Sequence, residues 1–330
     1  MAIRIRRREF IATLVGTAAA GPIAVQAQKS AKVPTIGWLG ATIPSSTPQR
    51  TAAFVQQLGK LGWSDGQTVT ITYRWAEGRD ERFAEIAEEF VRLNVDVIVT
   101  SGVPGVLAAK RATSIIPIVF GLVSDPVGNG LVESLAHPGG NVTGLSNQSL
   151  DLGGKRIQCL REVVPALRHL AVIANVANPD PTREMHEVET AAHALGLEVV
   201  TSPVRRSEDI ALAFEAFKNR AEALYVASDP LINANRTRIQ TLAMGARLPT
   251  IYNTRDFVEV GGLMSYGADY RGLWRRAAEI VDKILRGTQP ADIPIEQPTK
   301  FEFVINRTTA KVLGLTIPES FLLLADEVIE

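Results

Sequence analysis

The 330-residue chain is short of the residues that most chemistry needs: it has one cysteine, four histidines and only 6% aromatics. A lone thiol, Cys159, excludes an internal disulfide, and its setting reads as a small buried residue on a helix. His186 and His193 lie seven residues apart with no accompanying carboxylate-histidine cluster, which points to solvated surface positions and no metal site. No G-x-S-x-G elbow, phosphate-binding loop or H-E-x-x-H occurs, so no catalytic residue and no cofactor is expected. Gly37-Trp38-Leu39-Gly40 follows a strand-like run but is not G-x-G-x-x-G, and a dinucleotide site is unsupported. Neither charge dominates. Lys plus Arg and Asp plus Glu both count 35, which speaks against a nucleic-acid surface. No apolar run is long enough to span a bilayer.

The longest such run, roughly 10–20, belongs to an expected export signal. Arg4, Arg6, Arg7 and Arg8 precede it, Gly21-Pro22 break it, and Val25-Gln26-Ala27 is a small-x-small cleavage pattern. Arg7-Arg8-Glu9-Phe10-Ile11 also fits a twin-arginine signal, so either the general or the twin-arginine route is open. Cleavage after 27 leaves 31 basic and 34 acidic residues, a mildly acidic protein. No cysteine follows the cleavage site to carry a lipid. A free protein in the periplasm is expected.

What is present is a rhythm. Thr35–Gly40, Val69–Trp75, Val95–Val99 and Pro117–Phe120 read as strands, with helices expected at 49–61, 79–93 and 106–113. After the turn signal His137-Pro138-Gly139-Gly140-Asn141 the rhythm restarts. Strands are expected at 170–174, 197–200, 223–226 and 249–252, and helices at 154–164, 181–195, 207–220 and 231–244. A tail follows, with a strand at 261–267, a helix at 270–285, a proline-rich stretch, a strand at 301–305 and a helix ending near Gly314. The fold class is therefore α/β: two Rossmann-like lobes with parallel sheets, joined by a multi-segment hinge. The lobes are expected to comprise 33–144 plus about 265–300, and 145–264 plus about 301–330.

In open α/β sheets ligands bind beyond the carboxyl ends of the strands. That places Thr42, Ser101, Gly102, Ser124 and Asp125 at the site from the first half, and Asn147, Asn175, Asp229 and Tyr252 from the second, with Asp269 in the tail. Hydroxyls and glycine amides at helix starts can hold a carboxylate, and Asp125, Asp229 or Asp269 can pair with an ammonium. For each position a helix cap or turn is the alternative. Trp38, Phe120, Tyr252, Tyr266 and Tyr270 can supply an apolar wall, with core packing as the alternative. Trp63 and Trp75 read as structural.

Several runs resemble one family: Leu61-Gly62-Trp63, Tyr73-Arg74-Trp75-Ala76-Glu77-Gly78, Asp125-Pro126-Val127-Gly128, Pro138-Gly139-Gly140-Asn141-Val142-Thr143-Gly144 and Phe303-Val304-Ile305-Asn306. They are similar to the tryptophan/tyrosine-type ABC transporter substrate-binding proteins. The resemblance implies a type I periplasmic-binding fold, with two lobes, a three-segment hinge and a ligand cleft between them. It implies delivery of a bound solute to an ABC permease with its ATPase; the loop chemistry above suits a small polar or zwitterionic, amino-acid-like solute, and a monomer is expected. It places Gly102-Val103-Pro104 and Ser124-Asp125 at the cleft and Asp269 on the hinge side, while the first loop, proline-rich here at 41–48, varies in the family. Two other functions are compatible with the fold: an exported ligand sensor and an exported α/β enzyme.

Overall fold

A computed structural model describes residues 33–330; the expected signal at 1–27 lies outside the described residues. The first half runs β1 (Thr35–Gly40), α1 (Pro48–Lys60), β2 (Thr70–Trp75), α2 (Asp80–Arg92), β3 (Val97–Thr100), α3 (Val103–Ala112), β4 (Ile118–Val123) and β5 (Val142–Ser146). Its strands form one parallel sheet in the order β2-β1-β3-β4-β5. Every residue of β3, β4 and β5 is buried, as expected for strands covered on both faces.

The second half contains α4 (Gly153–Val163), β6 (His169–Asn175), α5 (Pro179–Ala194), β7 (Glu198–Val204), α6 (Asp209–Phe217) and β8 (Ala223–Val226). It continues through α7 (Pro230–Ala234), α8 (Arg236–Gly245), β9 (Thr250–Tyr252), α9 (Arg255–Val258) and β10 (Met264–Ala268). The tail adds α10 (Tyr270–Leu285), β11 (Phe301–Asn306), α11 (Arg307–Leu313), α12 (Glu319–Leu322) and β12 (Glu327–Ile329). Seven strands form the second sheet, β12-β11-β10-β9-β8-β6-β7, in which only β10 and β11 run antiparallel.

Helix α10 decides how the two halves join. Its Tyr270, Leu273, Trp274, Ala277, Ala278 and Val281 recur at helical spacing. They share a core with Ile36, Trp38, Phe54 and Val99 of the first half. Yet the strands on either side of it, β10 and β11, lie in the second sheet. The chain therefore crosses between lobes three times, after β5, after β10 and before β11. The crossings are bonded to one another. Ser146 N donates to Glu296 O (2.9 Å), Asp269 N to Lys300 O (3.2 Å) and Asn147 Nδ2 to the Tyr270 hydroxyl (3.1 Å). Residues 265–268, assigned above to the first lobe, are strand β10 of the second, and 145–146 belong to β5 of the first.

Two local readings are corrected. The pattern does not mark β5, because Thr143, Gly144 and Ser146 interrupt its apolar run. The strand forms because Gly144 leaves room for the carbonyl and ring of Phe120 on β4. The single helix expected at 231–244 is two, parted at Asn235, whose side chain bonds Ser207 Oγ and Leu231 O instead of continuing the helix.

Candidate functional site

The carboxyl ends of both sheets face each other across a cleft of about 740 Å³, counting its open mouth. Its first-lobe floor is aromatic. Trp38 of β1 and Trp274 of α10 lie 4.8 Å apart, centroid to centroid, and Trp75 at the end of β2 sits 6.4 Å from Trp38. Two glycines let the indoles lie on the sheet. A β-carbon at Gly40 would come within 2.1 Å of the Trp75 ring, and one at Gly121 within 2.7 Å of Trp274. Trp38 and Trp274 are buried, and their indole N–H groups have no acceptor among the described residues.

Among the described residues, Arg50 of α1 is the one cationic side chain lining the cleft. It is 7% exposed, and its guanidinium lies over the Tyr270 ring at 4.7 Å. One terminal nitrogen pairs with Asp256 of the second lobe at 2.5 Å and donates to Thr254 Oγ1 (3.4 Å); Nε–H has no acceptor among the described residues. The Tyr270 hydroxyl accepts from Asn147 Nδ2 at the hinge and from Asn253 Nδ2 of the second lobe (2.7 Å). Burial raises the pKa of that phenol. Beside these groups, Gly102 at φ +74° caps the start of α3 in a conformation that favours glycine.

The second-lobe wall carries two carboxylates. Asp229 caps α7, accepting from Leu231 N (2.7 Å) and Ile232 N. It also accepts from Asn175 Nδ2 (3.1 Å) and Asn178 Nδ2 (3.0 Å). Burial pushes its pKa up to about 6, with these donors pulling the other way. Asp180, in the first turn of α5, accepts from Asn129 Nδ2 (2.6 Å) and Ser124 N (3.2 Å), both of the first lobe, and burial raises it too. One turn on, Arg183 pairs with Asp125 (2.6 Å) and donates to Asn129 Oδ1. The Asp125-Pro126-Val127-Gly128 run is thus a turn, closed by Gly128 N on Asp125 Oδ1 (2.8 Å), that docks on the start of α5 across the cleft. Behind the wall, the buried Arg156 and Glu184 pair at 2.8 Å with the Tyr225 hydroxyl between them, and Glu184 Oε2 holds Ser228 N (3.1 Å) in the cleft loop.

Of the positions expected from sequence, Thr42, Ser101, Gly102, Ser124, Asn147 and Asp229 line the cleft. Four do not. Asp125 is consumed by Arg183 at the rim. Asn175 sits behind Asp229 and bonds it. Tyr252 is fully buried in the second lobe, stacked on Phe257 at 4.3 Å and bonded to Gln240. Asp269 caps α10 through Gly272 N (2.8 Å) and meets Arg275 (3.4 Å). Among the aromatics, Phe120 is core and Tyr266 stacks on Phe301, whereas Trp75, read as structural, lines the cleft. Arg50, Asn178, Asp180 and Trp274 were missed. Each sits on or at the start of a helix whose periodicity alone does not tell a cleft-facing position from a core one. None of the four histidines lines the cleft; His186 and His193 are exposed on α5. Cys159 is buried on α4, where desolvation raises its thiol to about 11.

Two α/β lobes, a three-strand hinge and a polar cleft between the sheet ends define a bilobed solute-binding protein. Over residues 45–329 the sequence matches the family described as ABC transporter substrate binding protein, and the chain belongs to it. It is 30% identical over 263 residues, 79% of this chain and 75% of the other, to a tyrosine-binding protein of Clostridioides difficile (strain R20291). The fold is the type I periplasmic-binding fold. An ABC domain from Streptococcus pneumonia in complex with L-Trp superposes with a TM-score of 0.83 at 27% identity, covering 90% of this chain and 99% of that one. A ligand-free, open substrate-binding protein with adhesive properties from Clostridium difficile covers the same shares at 26% identity, but with a TM-score of 0.65. Within this chain, Arg50, Asp180 and Arg183 each bond across the cleft to the other lobe.

Proposed function

We infer that this protein is the periplasmic solute receptor of an ABC importer and that its cargo is an aromatic amino acid. The observation that carries the reading is one cleft holding an indole floor together with ionic groups of both signs: Trp38, Trp75 and Trp274 beneath, Arg50 on one wall, Asp180 and Asp229 on the other. An aromatic side chain would lie on the indoles, while the charged groups suit a carboxylate and an ammonium. The tyrosine and tryptophan of the two relatives support this chemistry. Ligand bridging the lobes favours the closed form by its better contacts there, and that form is what a permease with its ATPase would engage.

The test is a thermal-shift and calorimetric screen of the purified protein against the common amino acids, small carboxylates and sugars. At 100 times its dissociation constant a true cargo stabilises by about 2.7 kcal/mol. Binding confined to tyrosine, tryptophan or phenylalanine supports the reading; a sugar hit with aromatic amino acids silent overturns it.

A further inference from the structure

Arg156 of α4 is 1% exposed, and its guanidinium reaches the second lobe's end of two hinge crossings. Nε donates to Tyr266 O (2.7 Å), in the strand that leads into the second crossing. Nη1 donates to Ser149 O (3.2 Å) and Nη2 to Ser149 Oγ (3.2 Å), where the first crossing enters the second lobe. Nη1 also meets Glu184 Oε1 (2.8 Å), and Glu184 Oε2 accepts from Ser228 N in the loop that carries Asp229. The first lobe's hold on the same crossings stops just short of these points. Ser146 Oγ donates to Ser124 O (3.0 Å) and Asn147 N to Val123 O (3.0 Å), both of the first lobe. In the second crossing, Ala268 and Tyr270 lie in the first lobe's core. Left between the two sets of anchors are Gln148 and Gly267. Gln148 has φ +49°, a region that a side chain as long as glutamine seldom adopts. Gly267 passes so close to the Asn253 carbonyl that a β-carbon would collide with it.

We propose that Arg156 is the positioning residue of the hinge. It fastens both crossings and, through Glu184, the cleft loop to the second lobe, so that the lobes turn about Gln148 and Gly267 and the loop bearing Asp229 keeps a fixed place relative to those pivots. This rests on the two-lobe arrangement and holds whatever the cargo. In hinge motion a few residues absorb the φ/ψ change while the bonded segments on either side move as rigid bodies. The anchors on each side confine that change to one residue per crossing. Arginine suits the task because its planar fork of five N–H donors can hold the Tyr266 carbonyl, Ser149 and Glu184 at once. A lysine ammonium is a single point with three donors and cannot span them. Burial keeps these bonds out of competition with water, so they persist as the lobes move.

The experiment needs no ligand. It compares wild type with Arg156→Lys, Gln148→Gly and two controls: Asn94→Gly, another positive-φ position but away from the hinge, and Tyr252→Phe, deep in the second lobe. Lobe separation is followed by single-molecule energy transfer between dyes on Leu93→Cys and Leu212→Cys, exposed on opposite lobes, while the buried Cys159 stays unlabelled. Amide hydrogen exchange is followed by mass spectrometry. Arg156→Lys should speed exchange by roughly tenfold at 147–149, 265–268 and 227–231 together, sparing β6 and β7, and should broaden the distribution of separations. Gln148→Gly should broaden that distribution without lowering the melting temperature, because glycine frees the pivot. Neither control should change it. A merely structural Arg156 would raise exchange evenly over the second lobe, as Tyr252→Phe does, and leave the separations as in wild type; that result overturns the proposal. So does a Gln148→Gly distribution that matches wild type. Should Arg156→Lys fail to fold, Ser149→Ala takes its place, since it removes the Ser149 Oγ bonds and keeps the Arg156–Glu184 pair. Faster exchange at 147–149 with broadened separations then sustains the proposal, and wild-type behaviour ends it.

Discussion

Trp75 lies against the place a side chain on Gly40 would occupy: a β-carbon there would come within 2.1 Å of the six-membered ring of the indole. The two residues are paired neighbours on β1 and β2, so the glycine fixes the depth at which the tryptophan meets the cleft. Gly40→Ala should push Trp75 outward, costing about 1–3 kcal/mol of stability as overpacking does. Affinity for an aromatic ligand should fall with it, as titration followed by tryptophan fluorescence would show. Unchanged affinity and emission would mean that Trp75 does not shape the floor.

Arg183 and Asp125 pair across the lobes with both side chains about one-third exposed. At that exposure the pair adds little to folding stability. Its effect should appear in the closed form, which alone brings the lobes together. Arg183→Ala is expected to leave the melting temperature within about 1–2 °C of wild type. It should enlarge the unliganded radius of gyration and weaken ligand a few-fold. A large loss of melting temperature with no change in scattering would refute that role.

Arg156 and Glu184 are each 1% exposed, and each satisfies the other. Glu184→Gln leaves a buried guanidinium without its counter-charge and should destabilise by about 3–5 kcal/mol. Denaturant unfolding measures this directly. Because Glu184 also holds Ser228 N, affinity should fall in the fraction that remains folded.

The buried Asp229 carboxyl, raised to about 6, gives two pH effects of opposite sign. The folded state holds this proton more tightly than the unfolded chain. The stability it confers is therefore fully present below about pH 4, the ordinary carboxylate value, and is lost as pH rises through about 6. Ligand affinity runs the other way, since an ammonium needs the ionised form, and should fall on acidification through about pH 6. Asp229→Asn should flatten both profiles, and a persistent affinity drop in that variant would assign the effect to another group.

Tyr252 is a control. Its hydroxyl donates to Gln240 Oε1 at 2.7 Å deep in the second lobe. Tyr252→Phe should cost about 1–3 kcal/mol by leaving that acceptor unpaired, with ligand affinity unchanged. A weakened ligand in a stable variant would return Tyr252 to the site.

The sequence by itself determined the strand-helix alternation, because apolar period and turn residues act over a few neighbours. It also placed most of the polar loops, since strand ends in such sheets point to one side; Thr42, Ser101, Gly102, Ser124, Asn147 and Asp229 all reach the cleft. Only the tertiary structure decided which side chains are free to face a ligand. Asp125 and Asp269 carry the same carboxylate as Asp180, but one is taken by Arg183 and the other by a helix end, partners that lie on other turns or in the other lobe. Trp274 and Arg50 sit on amphipathic helices, and one face of a helix looks alike in sequence whether it covers a core or closes a cleft. The lobe that α10 joins was decided the same way: its apolar stripe fits the first lobe's core, so the chain crosses the hinge to bury it.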